Sequence, residues 1–400
     1  MNHRQLDFKP VFVLGAGASK AIGAPLVNDF LLRARELVYS PDFERTLEQD
    51  FMREKLRVQF EHVFTYQSDL YKTRRFLGID LDNVETLFSI LDMNWQAAKS
   101  GIPIRPDFPL LSDAKLLDTI RESFFSLIIA TLKASIDRQS FQHDLLIRGL
   151  AANENAAFIT FNYDTAIEEA LQLSAGERGT DRYFVDYGFL KEERLNVQPR
   201  TRRVLKLHGS ANWTYCPKCE KLATLDKYIT PLELESHRQL LHLPDCPTMT
   251  AFNVIVPPTW YKHNHLEPIT RIWSRAIQEI SLATHLFVIG YSFPRTDVFF
   301  EQLMTLGFTS NGNLKRVVVL NPDARVRESV KDFFDSHFLA RSVVFRGIKF
   351  EDLMMVGPVQ VSNEKELDGF LEGMRRFEEE PPEEKKTLGE ITQEWMRRKR

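Results

Sequence analysis

Short, continuous apolar runs punctuate the chain, and each ends in glycine or a small polar residue. Pro10-Val11-Phe12-Val13-Leu14 runs into Gly15-Ala16-Gly17-Ala18-Ser19, and Ala157-Phe158-Ile159-Thr160-Phe161 into Asn162-Tyr163-Asp164. Val204-Leu205-Lys206-Leu207 ends in His208-Gly209-Ser210, and Val254-Ile255-Val256 ends in Pro257-Pro258. His285-Leu286-Phe287-Val288-Ile289 ends in Gly290-Tyr291-Ser292, and Val317-Val318-Val319-Leu320 in Asn321-Pro322-Asp323. Ser342-Val343-Val344-Phe345 is a last run of this kind. Runs this short, rich in β-branched and aromatic residues and without alternation, predict strands buried on both faces.

Stretches of helical period lie between the runs. Ala21, Ile22, Leu26, Phe30 and Leu31 predict a helix directly after the first glycine turn, and Ala166, Ile167, Ala170 and Leu171 another. Between Asn83 and Leu91 apolar residues fall at i, i+3, i+4 and i+7, with Asn83 placed to cap the helix. Ser112 is placed to cap a long helix carrying Leu116, Leu117, Ile120, Phe124, Leu127 and Ile128, after a proline-rich joint from Pro103 to Pro109. Strands alternating with helices predict an α/β fold: a doubly wound parallel Rossmann-like sheet with a large helical insertion and a small Cys-containing segment. The corresponding division is 1–41 for the first part of the Rossmann-like domain and 42–152 for the helical insertion. It continues with 153–350 for the rest of the domain, the Cys segment lying at 213–251, and 351–400 for a C-terminal extension and tail.

The polar punctuation matters because ligands of open α/β sheets bind at the carboxyl ends of the strands. Gly15, Asn162, His208, Gly290 and Asn321 all stand there. A strand, a glycine-rich turn and a helix start is how a backbone approaches a phosphate. The dinucleotide fingerprint needs glycine at position 20, which is Lys20; the next glycine is Gly23, followed by Ala24-Pro25. The turn therefore fits a phosphate site outside the common dehydrogenase form, and a turn of this kind also occurs where nothing binds.

Composition narrows the class. The 400 residues are 43% hydrophobic and 27% charged, with net charge −3, ordinary for a globular protein with a large core. Near-neutral charge and the lack of a basic-aromatic motif give no direct nucleic-acid binding by this chain. No apolar run is long enough to span a bilayer, no leader of charged then apolar residues opens the chain, and three cysteines make no secreted disulfide framework. A cytoplasmic location without membrane contact is the expectation.

In order, these motifs resemble the signatures of the sirtuin-like family of NAD-consuming proteins, from about residue 10 to 350 with the helical insertion excepted. Gly15-Ala16-Gly17-Ala18-Ser19 with Gly23-Ala24-Pro25 resembles the first, phosphate-binding signature. Thr160-Phe161-Asn162-Tyr163-Asp164 resembles the Thr-Gln-Asn-Ile-Asp signature, and Leu207-His208-Gly209 the catalytic His-Gly pair. Gly290-Tyr291-Ser292 and Asn321 resemble the positions that hold the adenosine half. Pro25 is followed by Leu26-Val27-Asn28, where the protein-deacylase branch has Asp-Phe-Arg. The pattern is thus closer to bacterial sirtuin-like NAD hydrolases of anti-phage defence, and among them to the partner of a HerA-type ATPase.

The resemblance implies an NAD glycohydrolase that releases nicotinamide and ADP-ribose. Gly15, Ala16, Gly17 and Ser19 would cradle the pyrophosphate, with Thr160, Gly290, Ser292 and Asn321 completing the NAD site. Asn162 would position a water or ribose hydroxyl, His208 would be a general base, whose imidazole suits that task near neutral pH, and Asp164 would orient the ribose or the nicotinamide amide. From the residues alone, Asn162 and Asp164 also suit turn and helix-capping roles. ADP-ribosyl transfer, deacylation and a non-catalytic nucleotide sensor are the other functions the same site could serve. A homo-oligomer is expected, as is a gate on activity, with the 42–152 helices as its candidate.

Cys216-Pro217-Lys218-Cys219 has zinc-knuckle spacing. Sirtuins often carry a second such pair, but Cys246-Pro247-Thr248-Met249 supplies one cysteine. His242 or His237 would be the fourth zinc ligand; a relic ribbon without metal is the other reading. In the tail, residues 378–384 carry acids and two prolines and predict an extended linker. Leu388, Ile391 and Trp395 would then form an apolar stripe on a short helix, to be buried on the protein's own core or, as the acidic linker favours, on a second copy of the chain or a partner; a frayed terminus without function is the other reading.

Overall fold

A computed structural model describes residues 8–73, 78–101, 113–136, 141–172, 183–189, 200–242, 246, 251–256, 267–293, 298–335, 343–356 and 361–379. The chain divides into two compact units. One comprises Met1–Ile22, Asp137–Leu207 and Leu266–Arg400, the other Gly23–Ile136 and His208–His265. The described strands, in chain order, are β1 (Pro10–Leu14), β2 (Ala157–Thr160), β3 (Phe184–Asp186), β4 (Thr201–Lys206), β5 (Gly209–Tyr215), β6 (Leu222–Thr224), β7 (Phe252–Ile255), β8 (His285–Ile289), β9 (Arg316–Leu320) and β10 (Val343–Arg346).

The first unit holds the expected parallel sheet, in the order β10-β9-β8-β1-β2-β4-β3. Phe12, Phe158 and Phe287 stack across β2, β1 and β8, with ring centroids 5.4 and 4.9 Å apart. On that face the strands pack with Leu146, Ile147 and Leu150 of the helix Phe141–Leu150, Ile167 and Leu171 of the helix Ala166–Gln172, and Leu367 and Phe370 of the helix Glu364–Glu379. The alternate positions Val11, Val13, Ile159, Leu205, Leu286 and Val288 are buried as well. Burial on both faces is why the strands are continuous apolar runs. After β1 the chain builds β2, β3 and β4 on one side, β4 entering between β2 and the edge strand β3, then returns to build β8, β9 and β10 on the other. The strand order therefore reverses beside β1, the topological switch point at which open α/β sheets leave a crevice.

Several expectations are corrected. The helix after the first turn is one turn long, Ala16–Ser19, followed by a 3₁₀ turn Lys20–Ile22. Gly23 stands at φ +90°, and Pro25 cannot donate to a helix ladder, so the next helix begins only at Phe30. Val254 and Ile255 do not join the parallel sheet. They lie in β7, which pairs antiparallel with β5 in a second, three-stranded sheet ordered β6-β5-β7. The small polar residues of β5 concealed that strand; two of them are satisfied internally, Ser210 Oγ donating to Asn212 Oδ1 at 2.8 Å and Asn212 Nδ2 to Leu225 O at 2.6 Å. Short edge strand β3 carried too little pattern to be seen. Glu378 and Glu379, expected in an extended linker, end the helix Glu364–Glu379, where Arg375 bonds Glu372 and Glu379.

The second unit contains the long helices Asp50–Thr73, Val84–Lys99 and Ala114–Ser135 beside the antiparallel sheet. Asn83 caps its helix as expected, Oδ1 accepting from Thr86 N at 3.0 Å. Asp113 caps the helix Ala114–Ser135. Ser112, the Pro103–Pro109 joint, Pro257-Pro258, and Leu388, Ile391 and Trp395 lie outside the described residues. No described helix is long and apolar enough to cross a membrane.

One buried group of the first unit sets a pH dependence. Burial on the helix Phe141–Leu150 pushes the His143 imidazole down to about 4, against a smaller opposing effect of Asp164. The unfolded chain binds that proton near pH 6.5, so between about 6.5 and 4 it holds more protons than the fold, and stability falls as the pH drops. Burial and neighbouring Glu169 push half-buried Asp144 up to about 6, which acts in the opposite sense. The comparison is therefore with His143→Leu. The stability of the parent relative to this variant should fall by about 3 kcal/mol between pH 7 and 4, followed by denaturant unfolding. A difference that is flat with pH would remove His143 from the acid response.

Candidate active site

The glycine turn after β1 sits against the turn after β8. Gly15 N donates to Ile289 O at 2.9 Å and Gly17 N to Gly290 O at 3.0 Å, while Gly290 N reaches Leu320 O at 2.9 Å. The three strand ends on this side of the switch point are thus laced together through backbone. The glycines are required by that contact. A Cβ on Gly15 would stand 2.6 Å from Gly290 O, one on Gly17 2.8 Å from Gly290 Cα, and one on Gly290 2.5 Å from Ala18 N. Gly290 is also at φ +64°. Gly17, by contrast, is not in the left-handed region, so its need for glycine comes from Gly290 and not from its own conformation.

Asn162 joins the turn from the neighbouring strand. Its Nδ2 donates to Gly15 O at 3.0 Å and to Ser19 Oγ at 3.1 Å. Gly15 O can only accept, which settles which end of the amide faces the turn. Thr160 holds Asn162 in turn: its hydroxyl donates to Leu14 O at 2.8 Å and accepts from Asn162 N at 3.1 Å. Thr160 is fully buried, so its place is in the frame of the site. Ser19 is buried, and Ala16 and Gly17 are half-buried. Asn321 bridges two strand ends, Nδ2 donating to Tyr291 O at 2.9 Å and Oδ1 accepting from Asp323 N at 2.9 Å. Ser292 is exposed. Phe161, Tyr291 and Phe300 form an aromatic wall, with Phe161 5.6 Å and Phe300 4.4 Å from Tyr291 by ring centroids.

Asp164 is buried, and its Oδ1 accepts from Ala166 N at 3.0 Å, the capping contact that its residue type allowed. Behind it lies a feature absent from the expectations. Lys206, with a wholly buried side chain, pairs with Glu168 Oε1 at 3.0 Å and donates to the backbone oxygen of Asp164. The signal was present: a lysine inside the apolar run Val204-Leu205-Lys206-Leu207 demands a buried partner.

His208 belongs to the second unit, where it is buried and its backbone oxygen accepts from Val256 N at 2.9 Å. The same unit gathers the metal-type ligands. One ligand atom from each of Cys216, Cys219, His242 and Cys246 lies within 4.8 Å of the others. Cys216 Sγ is 3.7 Å from Cys246 Sγ, close to the edge of about 3.8 Å for tetrahedral zinc with Zn–S bonds of about 2.3 Å. Both ring nitrogens of His242 are buried without a hydrogen-bond partner among the described residues, which suits a metal ligand. His237, the other candidate, has Nδ1 committed to Glu233 O at 2.9 Å. The Cys₃His set fits zinc. Purified protein should carry about one equivalent, and Cys219→Ser should lose most of it by elemental analysis; metal far below one equivalent in gently purified parent would exclude a zinc site.

No curated protein matches the chain. A mutant Sir2 homologue in complex with ADP-ribose has 13% identity and a TM-score of 0.34, over 95% of this chain and 98% of that one. A Sir2 in complex with an inhibitor, 2'-O-acetyl-ADP-ribose and a deacetylated peptide has 14% identity and a TM-score of 0.32, over 93% of both chains. A sirtuin described for its substrate affinity has 16% identity and a TM-score of 0.33, over 85% of this chain and 89% of that one. Residues 156–329, from the start of β2 into the helix after β9, match the family model of the SIR2-like domain.

Proposed function

We propose that the chain is an NAD glycohydrolase, cleaving the nicotinamide–ribose bond with water to release nicotinamide, ADP-ribose and a proton. The observation that carries the proposal is Asn162, its amide nitrogen fixed on the glycine turn at the switch point of a parallel sheet. A fixed Nδ2 directs Oδ1 away from the turn as an acceptor for a water or ribose hydroxyl. Cleavage of an N-glycosidic bond passes through an oxocarbenium-like ribose, so the site must place a nucleophile and take its proton. Asn162 supplies the placing, His208 the base, and Asp164 orients the ribose or amide through its held loop. Gly15, Ala16, Gly17 and Ser19 receive the pyrophosphate, and Gly290, Ser292 and Asn321 the adenosine half. Thr160 acts by holding Asn162. The SIR2-like match over 156–329 supports NAD as the molecule bound. The departure at Leu26-Val27-Asn28 favours hydrolysis over deacylation. On the same resemblance, the role is cytoplasmic NAD depletion in anti-phage defence, as a homo-oligomer with a HerA-type ATPase partner.

The test is product analysis with labelled NAD, with and without co-purifying partner. Equal release of nicotinamide and free ADP-ribose is expected. Label retained on protein would indicate ADP-ribosyl transfer, label transferred with an acyl group would indicate deacylation, and NAD bound but intact under every condition would leave a nucleotide sensor.

A further inference from the structure

Lys206 is the last residue of β4, on the face that packs against the helices Phe141–Leu150 and Ala166–Gln172. Its side chain has no exposure, and that of its partner Glu168 is 3% exposed. Val204, Ile167 and Ala170 surround this face with hydrocarbon. Burying two charges carries an effective penalty of several kcal/mol each, and replacing such a pair by apolar residues is often neutral or stabilising. Stability therefore does not explain why a lysine stands here. Direction does. An apolar side chain would fill the space, but only a donor can hold the carbonyl of Asp164, which Lys206 Nζ bonds while Glu168 balances its charge. That carbonyl lies in the short loop between Asn162, anchored on the glycine turn, and Ala166, where the helix starts on the Asp164 carboxylate. Glu168 is itself on that helix, so one ammonium ties β4 to the loop and to the helix that follows it. Lys206 also stands two residues before His208 in the chain.

We infer that Lys206 is a positioning residue: held by Glu168, its ammonium fixes the Asp164 carbonyl and so sets the loop that presents Asn162 and Asp164 to substrate. The inference rests on the reading of that loop as part of an NAD-cleaving site. It assigns no substrate contact to Lys206 itself.

The test compares full-length parent with the double variant Lys206→Met, Glu168→Leu, which removes both charges and keeps the volume. Thermal unfolding, steady-state NAD cleavage and hydrogen exchange of peptides covering 160–166 are measured together. The double variant should melt close to the parent, because no charge is left buried alone and the one loss is the donor to the Asp164 carbonyl. Its kcat should still fall about 10²-fold with little change in KM, the signature of lost positioning, and the loop peptides should exchange faster. A purely structural pair predicts that activity returns with stability, so a stable double variant with parental kcat and parental loop exchange overturns the inference. If the double variant does not fold, Lys206→Met alone decides. The Glu168 carboxyl can take up a proton and stay uncharged while the Asp164 carbonyl has lost its donor, so the loop peptides should exchange faster than in the parent, and parental exchange would overturn the inference. If the parent itself neither binds nor cleaves NAD, the functional reading fails separately. Loop exchange then decides the positioning role alone: faster exchange in a stable double variant supports it, and unchanged exchange refutes it.

Discussion

Asn162→Ala and His208→Ala are each expected to reduce NAD cleavage by about 10²–10⁴-fold in folded protein, the range for losing a positioned general base or its partner. For Asn162 the structure gives the cause. Alanine removes both donors to the turn, leaving Gly15 O and Ser19 Oγ without the amide that joins them to β2. Each lost hydrogen bond also costs about 1 kcal/mol of stability. Asn162→Asp makes the sharper comparison. It is nearly the same shape, but a carboxylate cannot donate to Gly15 O, so two acceptors would face each other and the anion would turn away. It should fail as fully as alanine. Nicotinamide release, with folding checked by circular dichroism, provides the measurement. Parental rates in folded Asn162→Ala and His208→Ala would overturn the proposed chemistry.

Gly290→Ala is expected to damage fold and binding together. The added Cβ would meet Ala18 N at 2.5 Å and Gly17 C at 2.6 Å, both rigid backbone, from a residue held at φ +64°. The left-handed backbone costs a non-glycine residue about 1–2 kcal/mol, and overpacking about 1–3 kcal/mol more. The strand ends must part to relieve it, and with them the glycine turn loses its shape. Gly17→Val should act through the same contact, because its Cβ would stand 2.8 Å from Gly290 Cα. Gly78→Ala and Gly312→Ala have nothing within 4 Å of the added atom and should stay within about 0.5 kcal/mol of the parent. Denaturant unfolding with NAD calorimetry reads both effects. Parental stability and affinity in Gly290→Ala would show that the two turns do not pack as described.

The two glycine turns show how far the sequence could be read. Strand followed by glycines was legible at Pro10–Ser19 and at His285–Ser292, because a buried parallel strand must be a continuous apolar run and a tight turn after it needs residues without side chains. Their meeting was not legible. They are some 270 residues apart, and only the strand order, with β8 returning beside β1, makes each the reason for the other's glycines. The fourth metal-type ligand followed the same division. Spacing identified Cys216 and Cys219 as a pair but left His237 and His242 equal until folding buried one and gave the other to Glu233.

What the sequence determined by itself is therefore whatever depends on local period and local chemistry: the parallel strands, the Asn83 cap, the polar residues at strand ends and the knuckle spacing. Strand β5 escaped because hydrogen-bonded small polar residues interrupt its buried apolar positions, Ala211 and Trp213, so no continuous apolar run marks it. What only the tertiary structure decided are the contacts between segments distant in the chain. Asn162 became a clasp on the glycine turn, Thr160 and Asn321 became ties between strands, and Lys206 found Glu168 and the Asp164 carbonyl. The physical reason is that a polar group's role is set by the partner that satisfies it once water is excluded, and that partner is chosen by topology, which no local pattern encodes.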